Sequence, residues 1–191
     1  MSVDMTAPEW MHAQITAAEY ESWSEEQCAG IENVDGMVVV SPGASKRHNR
    51  LARILANALD AAGGADWNAD TDFDVRLQDV PLTNRRPDVV VYRADSIDIS
   101  PTRPEHVLLA AEIVSPGSET TDRVVKLDQY AGSGIPIYWR VELTPAGIPV
   151  VNVTCWTLRA GGTGTARYSP DSSRPPCPSR SRSTCRAPGN S

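Results

Sequence analysis

The chain has 191 residues, 40% of them hydrophobic and 22% charged, which is enough for one domain with a sizeable core. No apolar run approaches the roughly 18 to 20 residues of a membrane helix, and MSVDMTAPEW shows no secretory signal. We therefore expect a cytoplasmic protein without a membrane partner. The four cysteines form no C-x-x-C pair and the three histidines are scattered, which argues against a zinc site or a disulfide framework.

The net charge of −6 is unevenly distributed along the chain. Residues 160–191 carry five arginines and one aspartate, which leaves a net charge of −10 on residues 1–159. An acidic body does not favour tight non-specific binding of nucleic acid, which usually depends on a basic face.

The first forty residues predict a helix followed by a hairpin. Residues 1–14 are expected to form a loose N-terminal arm. Thr16 and Glu19 fit a capping box, which predicts a short amphipathic helix from Thr16 to about Cys28. Residues 31–40 read as two short strands around Asp35-Gly36, a strong two-residue turn signal.

Residues 44–62 predict the clearest helix of the chain. Its apolar residues recur at helical spacing: Leu51, Ile54, Leu55, Ala58 and Leu59. Its opposite face carries four cations: Lys46, Arg47, Arg50 and Arg53. Two interpretations stay open for these cations, a solvated helix face and a phosphate-facing patch. His48 is interpreted as a solvated residue outside any site.

The middle of the chain predicts a sheet. Apolar and polar side chains alternate in residues 67–77, as in a strand with one face exposed to solvent, and residues 80–86 are predicted to form a loop. Residues 88–92 and 107–114 are apolar runs typical of strands buried on both faces, with a polar connection between them at residues 93–105.

The last third predicts a helix, two strands and a tail. Thr120 or Thr121 is expected to cap a helix that runs to about Ala131. Strands follow at residues 137–143 and 150–158. Residues 160–191 are rich in Ser, Pro and Arg and bury too little apolar surface to offset their ordering entropy, so we expect them to be disordered.

Three polar residues of this region are candidates for a metal-dependent site. Asp88 opens one apolar run and Glu112 lies inside another, LLAAEIV, where a carboxylate needs a cation, either an arginine or a metal ion. Mg²⁺ held by two carboxylates activates a water and neutralises phosphate charge, and Lys126 would position or deprotonate that water.

Structural explanations of the same residues remain open. Asp88 can simply start a strand after a proline turn. Glu112 can pair with Lys126 or Arg86 as a structural salt bridge, and Lys126 can form a surface pair with Asp122, one helical turn away.

Several motifs together carry a family resemblance. RPDVVV resembles the PD motif of the PD-(D/E)XK nuclease superfamily. PDVVV, EIVSPGS, GIPIYWRVE and the helix that carries Asp122, Lys126 and Tyr130 together resemble the Uma2 family, a group of restriction-endonuclease-like proteins. The resemblance covers residues 16–158, and the tail departs from it.

The resemblance implies a fold and a set of site residues. The implied fold is a mixed α/β sheet flanked by helices, over residues 15–159, with a divalent-metal site at its split edge. Asp88 and Glu112 would be metal ligands, and Glu32 matches a further acidic residue near the metal. The superfamily's usual lysine position holds Val114, so Lys126 would be its replacement. Tyr130 is expected to pack within its helix, with its hydroxyl bonded at the rim.

The expected function is therefore that of an endonuclease dependent on Mg²⁺ or Mn²⁺, acting on nucleic acid, with DNA as the expected substrate. The alternative is a non-catalytic binding or dimerisation module that retains the nuclease fold. The net charge of −10 on residues 1–159 favours this alternative, and a homodimer is left open.

Overall fold

The computed structural model describes residues 14–40, 43–115, 124–144 and 146–156. The predicted disordered tail at 160–191 and the predicted arm, apart from Gln14, lie outside these residues. Within the described part, no helix combines the length and the apolar character that crossing a bilayer requires.

The described residues form helices and strands in a mixed α/β order. The helices are α1 (Ala17–Glu21), α2 (Glu25–Cys28), α3 (Lys46–Gly63) and α4 (Lys126–Ser133), with short 3₁₀ turns at Ala94–Ser96 and Pro104–His106. The strands are β1 (Ile31–Val34), β2 (Met37–Val40), β3 (Trp67–Asp70), β4 (Val75–Asp79), β5 (Leu82–Arg85), β6 (Val89–Arg93), β7 (Val107–Ile113), β8 (Ile137–Leu143) and β9 (Pro149–Cys155).

The strands form two sheets rather than one. The small sheet has the order β2-β1-β5-β4 and the large sheet the order β3-β6-β7-β8-β9. In the large sheet, β6 and β7 are antiparallel, whereas β7 and β8 are parallel, with Leu109 beside Ile137. A parallel pair needs a crossover connection, and the segment between β7 and β8 carries α4 on that connection.

Helices cover both faces of the large sheet. On one face, Ala52 and Ala56 of α3 pack in a buried cluster with Val89 and Ala111. On the other face, Tyr130 of α4 packs in a cluster that contains Val90, Ala110 and Tyr138. Because side chains alternate along a strand, even-numbered residues at the adjoining ends of β6 and β7 face α4. The predicted fold class, a mixed α/β fold flanked by helices, is confirmed.

The N-terminal predictions are confirmed in part. Thr16 forms the capping box with Glu19, but the helix ends at Glu21 rather than at Cys28. Ser24 accepts the Gln27 N–H and starts a second helix, so one predicted helix is two. The Asp35-Gly36 turn has φ values of +53° and +79°, as a type I′ hairpin turn requires.

Two predictions around residue 80 are wrong. The strand predicted over residues 67–77 is divided between β3 and β4, which belong to different sheets. The predicted loop at 80–86 contains β5, whose residues are all buried although three of the four are polar. Tertiary partners make this burial possible, because Asn84 accepts a hydrogen bond from Arg76 Nε at 2.6 Å.

Candidate active site

Three of the predicted site residues lie together between the two sheets. Glu32 comes from β1, Glu112 from β7 and Lys126 from the first turn of α4. The Lys126 Nζ atom lies 2.9 Å from Glu112 Oε1 and 3.5 Å from Glu32 Oε1. All three residues are buried. The structure therefore joins residues that are up to 94 positions apart in the sequence into one buried ionic cluster.

Strand geometry explains how the two glutamates reach this position. Glu112 follows Ala110 on the face of β7 that packs against α4. In the small sheet, Asn33 is paired with Asn84, so the antiparallel register sets Glu32 opposite Arg85.

Arg85 is a member of the cluster that the sequence did not predict. Its Nη1 atom donates to Glu32 Oε2 at 2.9 Å, and its Nε atom donates to Gln129 Oε1 of α4 at 2.8 Å. The backbone N–H of Arg86 donates to the other Glu32 oxygen at 2.9 Å. Glu32 is thus held by donors on both carboxylate oxygens.

Tyr130 fixes the second glutamate. Its hydroxyl donates to Glu112 Oε1 at 2.7 Å, and its side chain is fully buried. The expected position at the rim is wrong, because α4 lays the ring against Val90 and Ala110 and directs the hydroxyl into the cluster. Burial, with the neighbouring Glu112 carboxylate, raises the pKa of Tyr130 well above its ordinary value of 10.0.

We expect Tyr130→Phe to lower the free energy of unfolding by about 1.5–3 kcal/mol at pH 7, as for hydrogen bonds to charged groups. Above pH 10 the unfolded tyrosine loses its proton while the folded one keeps it. The stability of the wild type therefore falls with rising pH, by about 1.4 kcal/mol per pH unit, and the variant lacks this contribution. Urea denaturation of both proteins from pH 8 to 11 measures the difference, and a difference that stays constant over this range contradicts the prediction.

Asp88 is held by a different set of partners. It lies just before β6, and the register that pairs Val89 with Ala111 sets it opposite Glu112. Its Oδ2 atom accepts the backbone N–H of Ile113 at 2.6 Å, and its Oδ1 atom lies 2.8 Å from His48 Nε2. Asp88 therefore lies opposite Glu112 on the neighbouring strand. Its carboxylate is bonded by His48 of α3, whereas the Glu112 carboxylate is bonded by Tyr130 and Lys126 of α4.

His48 is the second residue that the sequence analysis missed. It was interpreted as solvated, but its side chain is only 14% exposed and bonds to Asp88. A signal was present, since His48 precedes Ala52 and Ala56 at intervals of four on the buried face of α3.

The two glutamates are balanced by two cations. Lys126 and Arg85 offset the charges of Glu112 and Glu32, so this part of the cluster is formally neutral. The structural explanation of Glu112 as the partner of Lys126 is therefore correct as far as contact is concerned. Asp122, the other proposed partner of Lys126, lies outside the described residues.

The carboxylates of this region are candidate ligands of a divalent metal ion. Among the described residues, no group of three or more His, Cys, Asp and Glu side chains could hold a metal ion. A closed protein cage is therefore not formed by this part of the chain. Mg²⁺, however, is usually bound by one or two carboxylates, with water and substrate phosphate completing its shell. Asp88 and Glu112 lie opposite each other at adjoining strand ends and are the candidate ligands of an open site of this kind.

Comparison with known proteins identifies the family. Residues 17–177 match the Uma2 family, which is described as "Putative restriction endonuclease". The chain belongs to the Uma2 family. The match extends beyond residue 159 into the segment predicted as a tail, and comparison with curated proteins gave no significant match.

A solved structure shares the fold of this Uma2 chain. It is a crystal structure from Anabaena variabilis, described as "a putative nuclease belonging to DUF820". The two chains are 14% identical, the similarity covers 72% of the Uma2 chain and 83% of the other, and the TM-score is 0.52. At this identity the likeness shows the fold alone. The predicted family and fold are both confirmed, and family membership supports a nuclease-like function.

Proposed function

We propose that this Uma2 chain is an endonuclease that hydrolyses phosphodiester bonds with the help of Mg²⁺ or Mn²⁺. The observation that carries the proposal is the buried cluster of Lys126, Glu112 and Glu32, formed by distant parts of a chain whose family is described as a restriction endonuclease. Buried ion clusters contribute little net stability compared with apolar packing. Such a cluster at the strand ends of a nuclease-like fold therefore favours a chemical role.

The roles of the residues follow from their contacts. Asp88 and Glu112 would hold the metal ion, which activates a water and neutralises charge on the phosphate. The Ile113 N–H and His48 orient Asp88, and Tyr130 orients Glu112. Fixed orientation of carboxylates in this way is typical of metal sites.

Lys126 would act on the water or on the phosphate. Its ammonium already lies between Glu112 and Glu32, so its position is fixed by two carboxylates. From there it would donate to the attacking water or to the oxygen on which charge develops. Glu32, held by Arg85, serves mainly to place this ammonium.

DNA is the proposed substrate, because restriction endonucleases cleave DNA. We expect the purified protein to nick supercoiled plasmid in Mg²⁺ or Mn²⁺ and to leave it intact in EDTA. An Asp88→Asn protein prepared in the same way controls for contaminating nucleases, and a structured RNA tests the other class of nucleic acid. If the wild-type protein, in molar excess, cleaves neither the plasmid nor the RNA in the presence of Mg²⁺ or Mn²⁺, the proposal is contradicted.

A second candidate function is a binding or dimerisation module without catalysis. Two observations favour it. Glu32 and Glu112 are neutralised by Arg85 and Lys126. Among the described residues, β9 is the outermost strand of the large sheet, and it exposes Val150, Val151 and Val153. Under this alternative, added Mg²⁺ leaves the melting temperature unchanged. Under the nuclease proposal, metal binding raises it by mass action, and Glu112→Gln reduces the gain. Homodimerisation itself stays a prediction.

A further inference from the structure

The outward face of α3 carries an unusual concentration of positive charge. Its members are Lys46, Arg47, Arg50 and Arg53, and we call them the basic face. All four are exposed, on the side of the helix opposite the buried Ala52 and Ala56. No ion pair joins any of the four to an acid within the described ranges.

This arrangement is unfavourable for the isolated helix. The first turn of α3 contains Lys46 and Arg47 and no acidic residue, although a helix N-terminus favours negative charge. Arg50 lies three or four positions from each of the other cations, where like charges repel. The four cations are also concentrated on one helix face although residues 1–159 as a whole carry a net charge of −10. A bound anion would remove each of these penalties.

The position and length of the basic face indicate which kind of anion it would bind. Lys46, Arg47 and Arg50 all lie within one turn of His48, whose ring bonds to Asp88. The basic face therefore lies at the same level of α3 as His48, but on the side of the helix that faces away from the large sheet. From Lys46 to Arg53 the helix rises about 10.5 Å, and double-stranded DNA presents a charge about every 1.7 Å of its axis. The face is long enough to contact several phosphates.

We propose that the basic face of α3 binds the phosphate backbone of double-stranded nucleic acid. The identity of the substrate rests on the proposed function, but the binding surface is argued from α3 alone. An anionic membrane fits less well, because a membrane-binding helix inserts its apolar side. The apolar side of α3 is already packed against the large sheet.

The test compares the wild type with a Lys46→Gln/Arg50→Gln/Arg53→Gln variant. Gln is a good helix former, so α3 is expected to fold in the variant, and circular dichroism melting checks this. Fluorescence anisotropy measures the affinity for a 20-base-pair duplex in EDTA, over a series of salt concentrations. We expect the slope of log affinity against log salt to become shallower by about 0.9 for each phosphate contact removed.

Arg93→Gln is the matched control, since Arg93 is also exposed but belongs to β6 and is paired with Asp95. Its slope should equal that of the wild type. A triple variant with the wild-type slope overturns the inference and leaves a solvated helix face. Binding of phosphatidylserine vesicles through the basic face, with no binding of the duplex, overturns it as well.

The outcomes separate the two proposals. If the wild type cleaves plasmid in Mg²⁺ while the triple variant keeps the full salt slope, the inference fails and the proposed function stands. If no metal-dependent cleavage occurs but the slope falls in the triple variant, the inference stands and the proposed function fails.

Discussion

Lys126→Met is expected to lower the free energy of unfolding by about 3–5 kcal/mol, the usual cost of removing one partner from a buried ion pair. The methionine fills a similar volume but leaves Glu112 and Glu32 with one cation, Arg85, between them. Two desolvated carboxylates that share a single cation are the source of this cost. Urea denaturation at pH 7 measures it directly.

Two further variants make this result interpretable. Glu112→Gln/Lys126→Met removes the excess negative charge that the single variant leaves in the cluster, so we expect it to recover most of the lost stability. Arg103→Met breaks an exposed pair with Asp79 at 2.9 Å and should cost only about 0.2–1 kcal/mol. If Lys126→Met is no more destabilising than Arg103→Met, the ammonium is not part of a buried network.

Asp88→Asn is expected to reduce the rate of metal-dependent plasmid cleavage at least about 100-fold, the lower end of what a positioned catalytic group contributes. The change preserves shape, and its Oδ1 atom can still accept the Ile113 N–H. It removes the negative charge that would hold the ion and that faces His48. Single-turnover cleavage over a range of Mg²⁺ concentrations gives the rate.

His48→Gln tests whether the partner of Asp88 acts by orienting it. We expect a loss of about 10–100-fold, as for partners that orient metal ligands elsewhere, together with a requirement for more Mg²⁺. If the Asp88→Asn protein cleaves plasmid at the wild-type rate, Asp88 takes no part in the reaction. His48→Gln would then be expected to leave the cleavage rate unchanged.

The parts of the fold that sequence predicted well are those with local signals. The helix α3 has a regular apolar stripe, and Asp35-Gly36 specifies its turn by two positive φ angles. The strands β6 and β7 are apolar runs that belong in the centre of a sheet. In each case the information lies within one element and needs no distant partner.

The missed parts depend on distant partners. The strand β5 reads LTNR, which is polar, and it is buried only because Arg85 meets Glu32 from 53 positions away and Asn84 meets Arg76. Glu32 is remote from β5 in the sequence, and Arg76, eight positions before Asn84, meets it only when β4 and β5 pair. The same holds for His48, whose role depends on Asp88, forty positions later.

The candidate site was predicted unevenly for the same reason. Family motifs pointed to Asp88, Glu112 and Lys126, and the structure brings Glu112 and Lys126 into contact. The motifs did not indicate that Tyr130 and Arg85 complete the cluster, since their hydrogen bonds to Glu112 and Glu32 form only in the folded chain. The metal-binding roles of Asp88 and Glu112 stay predictions.

The three residues between β5 and β6 link the small sheet to the large one. The N–H of Arg86 is bound by Glu32 of the small sheet, and the carboxylate of Asp88 binds the N–H of Ile113 in the large sheet. This linker is thus anchored at both ends, and it carries one of the proposed metal ligands. Asp88 and Glu112 belong together to the large sheet, whereas Glu32 belongs to the small one. A rotation of one sheet relative to the other would therefore change the distance of Glu32 from Glu112 and Lys126, and with it the position of the Lys126 ammonium.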